Sequence, residues 1–337
     1  MAAWEQVKGA AGGPGPRSSH GISAAAGGAH AWVIGGEVKA REPAGMEVWR
    51  LDLGDANSAP AWRLCGPREG EGASPPARNA HAQGLLGTDL WVFGGRTNAE
   101  EHSVLNDLWR FDTVAEAWHG PIPAASGVPP AARSYHAACA AGGRFYVFGG
   151  CVAEGRVADF HCFDPETRAW RELPPPPGVE GRGGPVLETF AGGHTLLLFA
   201  GYANRETRDV LTFDVHREEW TRRADLGPDL APRSVCACFP TPDGRIVVYG
   251  GEVVPSERGH SGAGSFSGEV LEFDAEGNAR VLNQDLAAAR PTPRGWTTMA
   301  PLPPPPGTSA RGFLYGGLAG DDDSPERLAD AWFLSVA

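Results

Sequence analysis

Six times along the chain, four apolar residues run into a pair of small ones: AWVIGG, LWVFGG, FYVFGG, LLLFAG, IVVYGG and GFLYGG. An uninterrupted apolar run of that length, bounded by turn residues, suits a short strand buried on both faces. Ahead of each run lies an alternating stretch such as HGISAAA or HAACAA, which reads as a second strand. Behind it come a variable loop, an acidic residue and a further strand: EVWRLD, DLWRFD, DFHCFD, DVLTFD, EVLEFD and DAWFLS. A tryptophan usually follows, as Trp62, Trp118, Trp170 and Trp220. The second small residue of each pair is residue 36, 95, 150, 201, 251 or 317, giving separations of 59, 55, 51, 50 and 66. The pattern predicts six repeats, each a sheet of four short strands.

The fourth strand is missing from the sixth repeat, which ends at Ala337. Trp4, in AWEQVKG, has no repeat of its own. Ring closure resolves both, with the N-terminal strand supplying the outer strand of the last sheet and leaving few open edges. With repeats of this length, the chain resembles the kelch-repeat family over essentially its whole length. The resemblance implies an all-β protein, a six-bladed kelch β-propeller closed by its N-terminal strand. One domain is expected over residues 1–337. Its blades lie near 17–66, 78–122, 133–174, 182–224, 233–283 and 294–337, with the closing strand at 3–8. The proline runs Pro174–Pro177 and Pro303–Pro306 fall in connections.

Composition narrows the class. With 47 glycines, 30 prolines and 42% hydrophobic residues, the chain suits short strands and turns and has enough apolar surface for a core. Its formal net charge of −12, from 29 basic and 41 acidic residues, argues against binding a phosphate backbone. Lys8 and Lys39 are the only lysines, so the basic charge is nearly all arginine. The six cysteines form no C-x-x-C pair and read as small buried residues. No apolar run reaches membrane-spanning length and MAAWEQVKG lacks a signal-peptide core. A cytoplasmic protein, monomeric or homodimeric, without nucleic-acid or membrane partners, is expected.

Antiparallel pairing puts the start of each first strand and the end of each second strand on the same face. Glu37, Arg96, Arg156, Tyr202 and Glu252 should therefore rim one mouth of the channel, with Tyr135 and Trp296 at blade openings beside them. His20, His81 and His136 recur at one repeat position. A structural role is the better reading there, as a hydrogen bond between blades. Arg17, Arg78, Arg133, Arg182, Arg233 and Arg294 recur in every blade and read as structural too. Asp321, Asp322 and Asp323 suit either a hard cation or a solvated loop. Residues that break the repeat are more informative. Arg96 directly follows its glycine pair, and Trp296 stands where other blades carry histidine or a small residue. In GGEVVPSERGH, Glu252, Glu257 and His260 would suit a divalent metal such as Fe(II) or Mn(II); a polar surface loop is the competing reading.

In detail the chain resembles the plant specifier proteins of glucosinolate breakdown: nitrile-specifier, epithiospecifier and thiocyanate-forming proteins. The similar stretches are GPGPRSSHGI, FGGR, RGG, ARSV, RGWT and EVVPSERGHSGAG. The resemblance implies an iron(II)-dependent, lyase-like enzyme that directs a small thiohydroximate-sulfate or related anion to a nitrile-type product. It makes Glu252 and His260 the first and last metal ligands. Ser256 stands at the family's aspartate, with Glu257 adjacent as a substitute. It implies sulfate-binding roles for Arg96 and Arg156 and a pocket walled by Tyr135 and Trp296, with Glu37 nearby. The alternative is a non-enzymatic interaction module that binds a protein segment at the same mouth.

Overall fold

Each repeat folds as a four-stranded antiparallel sheet in the computed structural model, which describes residues 1–8, 12–25, 28–54, 59–66, 73–97 and 103–337. Among the described residues there are six such sheets, the blades of a propeller. The innermost strands are Gly21–Ala24, Ala82–Leu86, Ala137–Ala141, Val186–Thr189, Ala237–Pro240 and Met299–Leu302. Each packs beside those of its two neighbours, and blade six packs beside blade one, so the ring is closed. The second strands carry the unbroken apolar runs and are buried on both faces, as in Ile246–Tyr249 and Thr195–Phe199. Apolar side chains from adjoining blades meet in shared clusters. This burial is the main stabilising term.

The closing strand is Ala2–Gln6, two residues short of the expected end and one residue earlier at its start. It pairs with Ala331–Val336 in the register Ala2↔Val336 to Gln6↔Trp332. The Trp4 ring stands edge-on to Tyr249 at 4.7 Å and to Trp332 at 6.5 Å. Its Nε1 donates to Gln284 Oε1 at 2.9 Å.

The recurring arginines hold the blades in place. All six are buried, and in each the Nη1 atom donates to the carbonyl of the first small residue of its own blade's pair. Five also meet the acidic residue that opens the third strand: Arg78 with Asp107, Arg133 with Asp159, Arg182 with Asp209, Arg233 with Glu269 and Arg294 with Asp330. The second glycine of each pair donates its N–H to the arginine carbonyl of the next blade, around the whole ring.

A second ring lies at the mouth. Two residues after each arginine, Ser19, Ala80, Tyr135, Gly184, Val235 and Trp296 all adopt positive φ, between 50° and 62°. Each donates its N–H to the carbonyl of its counterpart in the preceding blade, at 2.6–3.0 Å, and Ser19 closes the circle onto Trp296. Left-handed backbone costs non-glycine residues roughly 1 kcal/mol. The cooperative circle of hydrogen bonds offsets it.

The recurring histidines lie at blade boundaries. His20 Nε2 faces Thr297 Oγ1 across the blade boundary at 3.5 Å. His136 lies against the Phe93 backbone of the preceding blade and His81 beside Gln83 of its own, and both rings also pack against the neighbouring blade. A Cβ at Gly35 would lie 2.7 Å from His81 Cε1, and one at Gly94 would lie 3.0 Å from His136 Cε1. Glycine is required there both by this approach and by a φ near 60°. Burial lowers all three histidine pKa values, to about 3 for His20 and His81, so the rings are neutral.

Candidate functional site: an arginine-lined mouth

Backbone bridges fix the mouth. The residue after each small pair bridges the residue after each buried arginine: Ser18 to Glu37, Asn79 to Arg96, Ser134 to Cys151, Gly183 to Tyr202, Ser234 to Glu252 and Gly295 to Leu318. Glu37, Arg96, Tyr202 and Glu252 thus occupy equivalent places around one opening. Short hairpins rise above it from blades one, five and six: Glu37–Lys39 with Glu42–Pro43, Glu252–Val254 with Ser265–Phe266, and Leu318–Ala319 with Glu326–Arg327.

Three aromatic rings meet at the centre. The blade-five hairpin carries His260 on a single 3-10 turn, Gly259–Ser261. Its imidazole stacks on Tyr135 with centroids 5.1 Å apart and planes 13° from parallel. Trp296 stands edge-on to both, at 5.3 Å from each. Three residues far apart in sequence are therefore brought together, His260 as a stacked ring where a metal ligand was expected. Tyr135 is buried, with its hydroxyl beside Ser19. Burial, then the charge of Glu37, raises its pKa, so it stays a phenol.

Four guanidinium groups surround this cluster. Burial first, and then the charges of Arg41, Arg96, Arg156 and Arg327, together lower the His260 pKa to about 4. The histidine is neutral while the space around it is strongly positive. Arg327 meets Glu37 at 3.1 Å. Glu37 also accepts from Ser18 Oγ at 3.2 Å and from the backbone N–H of Arg41 at 2.9 Å. Arg156 donates to Asn204 Oδ1 at 2.9 Å and lies over the Tyr202 ring at 4.7 Å. Arg96 is half-buried, and among the described residues no carboxylate pairs with it. This cluster of arginines stands out in a chain of net charge −12, and planar guanidinium forks suit oxyanions in general.

The expected metal set is not assembled. Glu252 is buried, and its Oε1 accepts from Ser256 N at 3.3 Å and Gly264 N at 3.2 Å, so the carboxylate ties down its own loop. Burial raises its pKa to about 7. Ser256 Oγ bonds to Asp322 of blade six, which also accepts from Glu257 N at 3.0 Å. Glu257 itself is exposed, and His260 faces the aromatic pair. Among the described residues no group of three histidine, cysteine, aspartate or glutamate side chains could hold a metal ion. The geometry of these residues does not fit a three-ligand iron centre. Asp322 and Asp323 serve as anchors, Asp323 pairing with Arg258.

Sequence reasoning missed Arg41, Arg327 and Glu206. The first two lie on hairpins outside the repeat, so no periodicity marks them. Glu206 is buried beside Ser234 and Glu252. Burial raises its pKa to about 8. Nothing in the NRETRD stretch distinguishes it from a surface glutamate.

The fold and this mouth define a class, the kelch-repeat propellers. The chain belongs to the KLHDC2/KLHL20/DRC7 Kelch-repeats domain family, whose model matches residues 19–251. It is similar to the N-(sulfonatooxy)prop-2-enimidothioate sulfolyase of Thlaspi arvense, 26% identical over 305 residues that cover 84% of this chain and 83% of that one. This relative agrees with the specifier resemblance of the motifs. The Kelch domain-containing protein 3 of Homo sapiens is 30% identical over 56% of this chain, and Adagio-like protein 1 of Oryza sativa subsp. japonica is 30% identical over 69%. The chain spans about half of the former (51%) and 38% of the latter. The solved structure of YjhT superposes with a TM-score of 0.70 over 96% of this chain and 95% of that one, at 16% identity, which shows the fold alone. No helix among the described residues is long and apolar enough to cross a membrane.

Proposed function

We propose that the mouth binds a small sulfated anion and promotes loss of its sulfate, a lyase-type reaction on a thiohydroximate-sulfate or a related compound. The observation that carries this reading is the placement of Arg41, Arg96, Arg156 and Arg327 around the neutral His260–Tyr135–Trp296 cluster. In such a reaction the bond from nitrogen to the sulfate oxygen breaks with its electron pair leaving on sulfate, while the carbon–sulfur bond breaks, its pair becoming the third carbon–nitrogen bond of the nitrile and the thiolate sulfur departing as zero-valent sulfur. Arg96 is free to bind the departing sulfate through both arms of its fork. Charge building on those oxygens is stabilised more than the ground state is, which is what accelerates the step. The stacked rings pack the apolar side chain of the substrate and exclude water. Neutral His260 and Tyr135 add no charge of their own to the field of the arginines. The sulfolyase named among the relatives supports the reaction class.

A second reading rests on the same arginines. The relatives named only as kelch domain-containing proteins suggest a module that docks a protein segment through an acidic group at this mouth. One experiment separates the two. Incubation with a thiohydroximate O-sulfate should release sulfate and a nitrile-type product faster than buffer does, and Arg96→Ala should abolish the excess. Release no faster than in buffer, with tight binding of an acidic peptide, would establish the module instead.

A further inference from the structure

Beneath the ring of backbone hydrogen bonds lies a second compartment, the central channel, with a volume of about 590 Å³. All six innermost strands line it, and Tyr135 and Trp296 sit at its mouth end. That volume is in the usual range for a small-molecule site. Its wall mixes apolar residues, among them Ala24, Ala82, Ala138, Val186 and Val235, with uncharged polar ones such as Ser23, Gln83 and Thr298. Among the aspartate, glutamate, lysine and arginine side chains described, Glu188 of blade four alone lines it.

Glu188 is in an unusual position. Protein surrounds it on every side, and burial raises its pKa to about 7. Yet the residue keeps partial exposure, because it faces the channel. Its Oε1 accepts from the adjacent backbone N–H of Thr189 at 2.8 Å, and its Oε2 has the Cys238 thiol at 3.9 Å. Among the described residues no cation pairs with it. A carboxylate offers about four acceptor positions, so most of its capacity is unused. The titratable groups facing it are Cys139 and Cys238, with Cys236 behind. Burial raises all three thiols and lowers His20, His81 and His136, so every one of these is neutral.

We propose that the channel is a second binding site, separate from the mouth, for a small organic cation: a primary ammonium on an apolar body, paired with Glu188. The ammonium supplies both the countercharge and the donors that the chain withholds. The apolar residues of the wall take the body, which distinguishes such a ligand from a bare metal ion. Protonated thiols are poor metal ligands, and no three-ligand group forms among the described residues.

Calorimetry with hexylammonium and hexan-1-ol tests the assignment. At pH 8 the ammonium should bind at least about tenfold more tightly than the alcohol of the same length. Glu188→Gln should remove that preference and leave alcohol binding in place, which also shows that the variant is folded. In the wild type, lowering the pH from 8 to 6 should weaken ammonium binding about tenfold, since Glu188 takes up its proton near pH 7. Sodium sulfate at matched ionic strength should not compete. Equal affinity for amine and alcohol, an unchanged preference in Glu188→Gln, or displacement by sulfate would each overturn the proposal.

Discussion

Removing the Trp4 side chain tests whether the closing strand holds the ring. Trp4 is partly buried and contributes two edge-on aromatic contacts and one indole hydrogen bond to Gln284. Truncating a fully buried tryptophan to alanine costs about 3–5 kcal/mol. Partial burial reduces this to about 2–3 kcal/mol for Trp4→Ala. The entropy of unfolding near Tm is about 2.1 cal/mol/K per residue, which for 337 residues is about 0.7 kcal/mol/K. The expected fall in Tm is therefore about 3–4 °C. Trp4→Phe keeps the edge-on packing and loses the indole N–H, about 1 kcal/mol and so about 1–2 °C. Deleting residues 1–8 strips the five-pair ladder as well and exposes the apolar strand Ala331–Val336 along its edge. That protein should melt lowest and associate during light scattering, as unprotected edges do. Calorimetric scans of all four proteins give the order. A Tm for Trp4→Ala within 1 °C (roughly the scan error) of wild type would refute the reasoning.

The other predictions follow from the mouth, the buried pairs and the loop. Arg96→Lys keeps the charge and loses the fork, so sulfate affinity should fall about tenfold (roughly one hydrogen-bonded arm) at unchanged Tm; undiminished affinity would remove Arg96 from the anion site. Asp330→Asn breaks the buried Arg294 pair and should cost about 3 kcal/mol, seen as a lower urea midpoint; a midpoint equal to wild type would contradict the role given to that pair. For pH, the depressed histidines bind protons more readily unfolded, so stability falls as pH drops below about 6.5. Glu188, Glu206 and Glu252 have raised pKa values, so their contribution is present at low pH and is lost as pH rises through about 7–8. Tm should therefore peak between about pH 4.5, where the unfolded carboxyls ionise, and about pH 6.5, where the unfolded histidines do, and a Tm still rising at pH 9 would be inconsistent. Ser256→Asp sets a second carboxylate against Asp322 and should lower Tm without creating stoichiometric Fe(II) binding in dialysis; tight binding of one iron would restore the three-ligand reading.

The architecture was legible because it repeats. Six copies of an apolar run closing on small residues, and one unmatched tryptophan, specify both the blades and the closure. Trp296 was legible as an exception to that repeat, standing where four other blades carry serine, alanine, glycine or valine, and Tyr135 through the family resemblance. The rest depended on where loops fold. GGEVVPSERGH has the spacing of a ligand set, but spacing does not say where an oxygen points. Glu252 turns to the loop amides, and Ser256 ties the loop to Asp322, sixty-six residues away. Arg41 and Arg327 reach the same centre from hairpins that no period announces. Glu206 and Glu188 look like ordinary surface carboxylates until the ring wraps around them.

The circle of hydrogen bonds at the mouth has a wider consequence. It is made entirely of backbone, so it asks nothing of the six side chains it carries: serine, alanine, tyrosine, glycine, valine and tryptophan in turn. Those side chains stand at six evenly spaced stations around one axis, each bounded by the same geometry. The toll is only the mild strain of a left-handed residue. Such a collar separates shape from content. A lineage can rewrite what the mouth recognises one station at a time, without loosening the ring, and a protein engineer can do the same. A tyrosine moved from station three to station four would meet a different neighbour over an unaltered floor, so the arrangement of side chains around the collar, as well as their identity, becomes a variable of recognition.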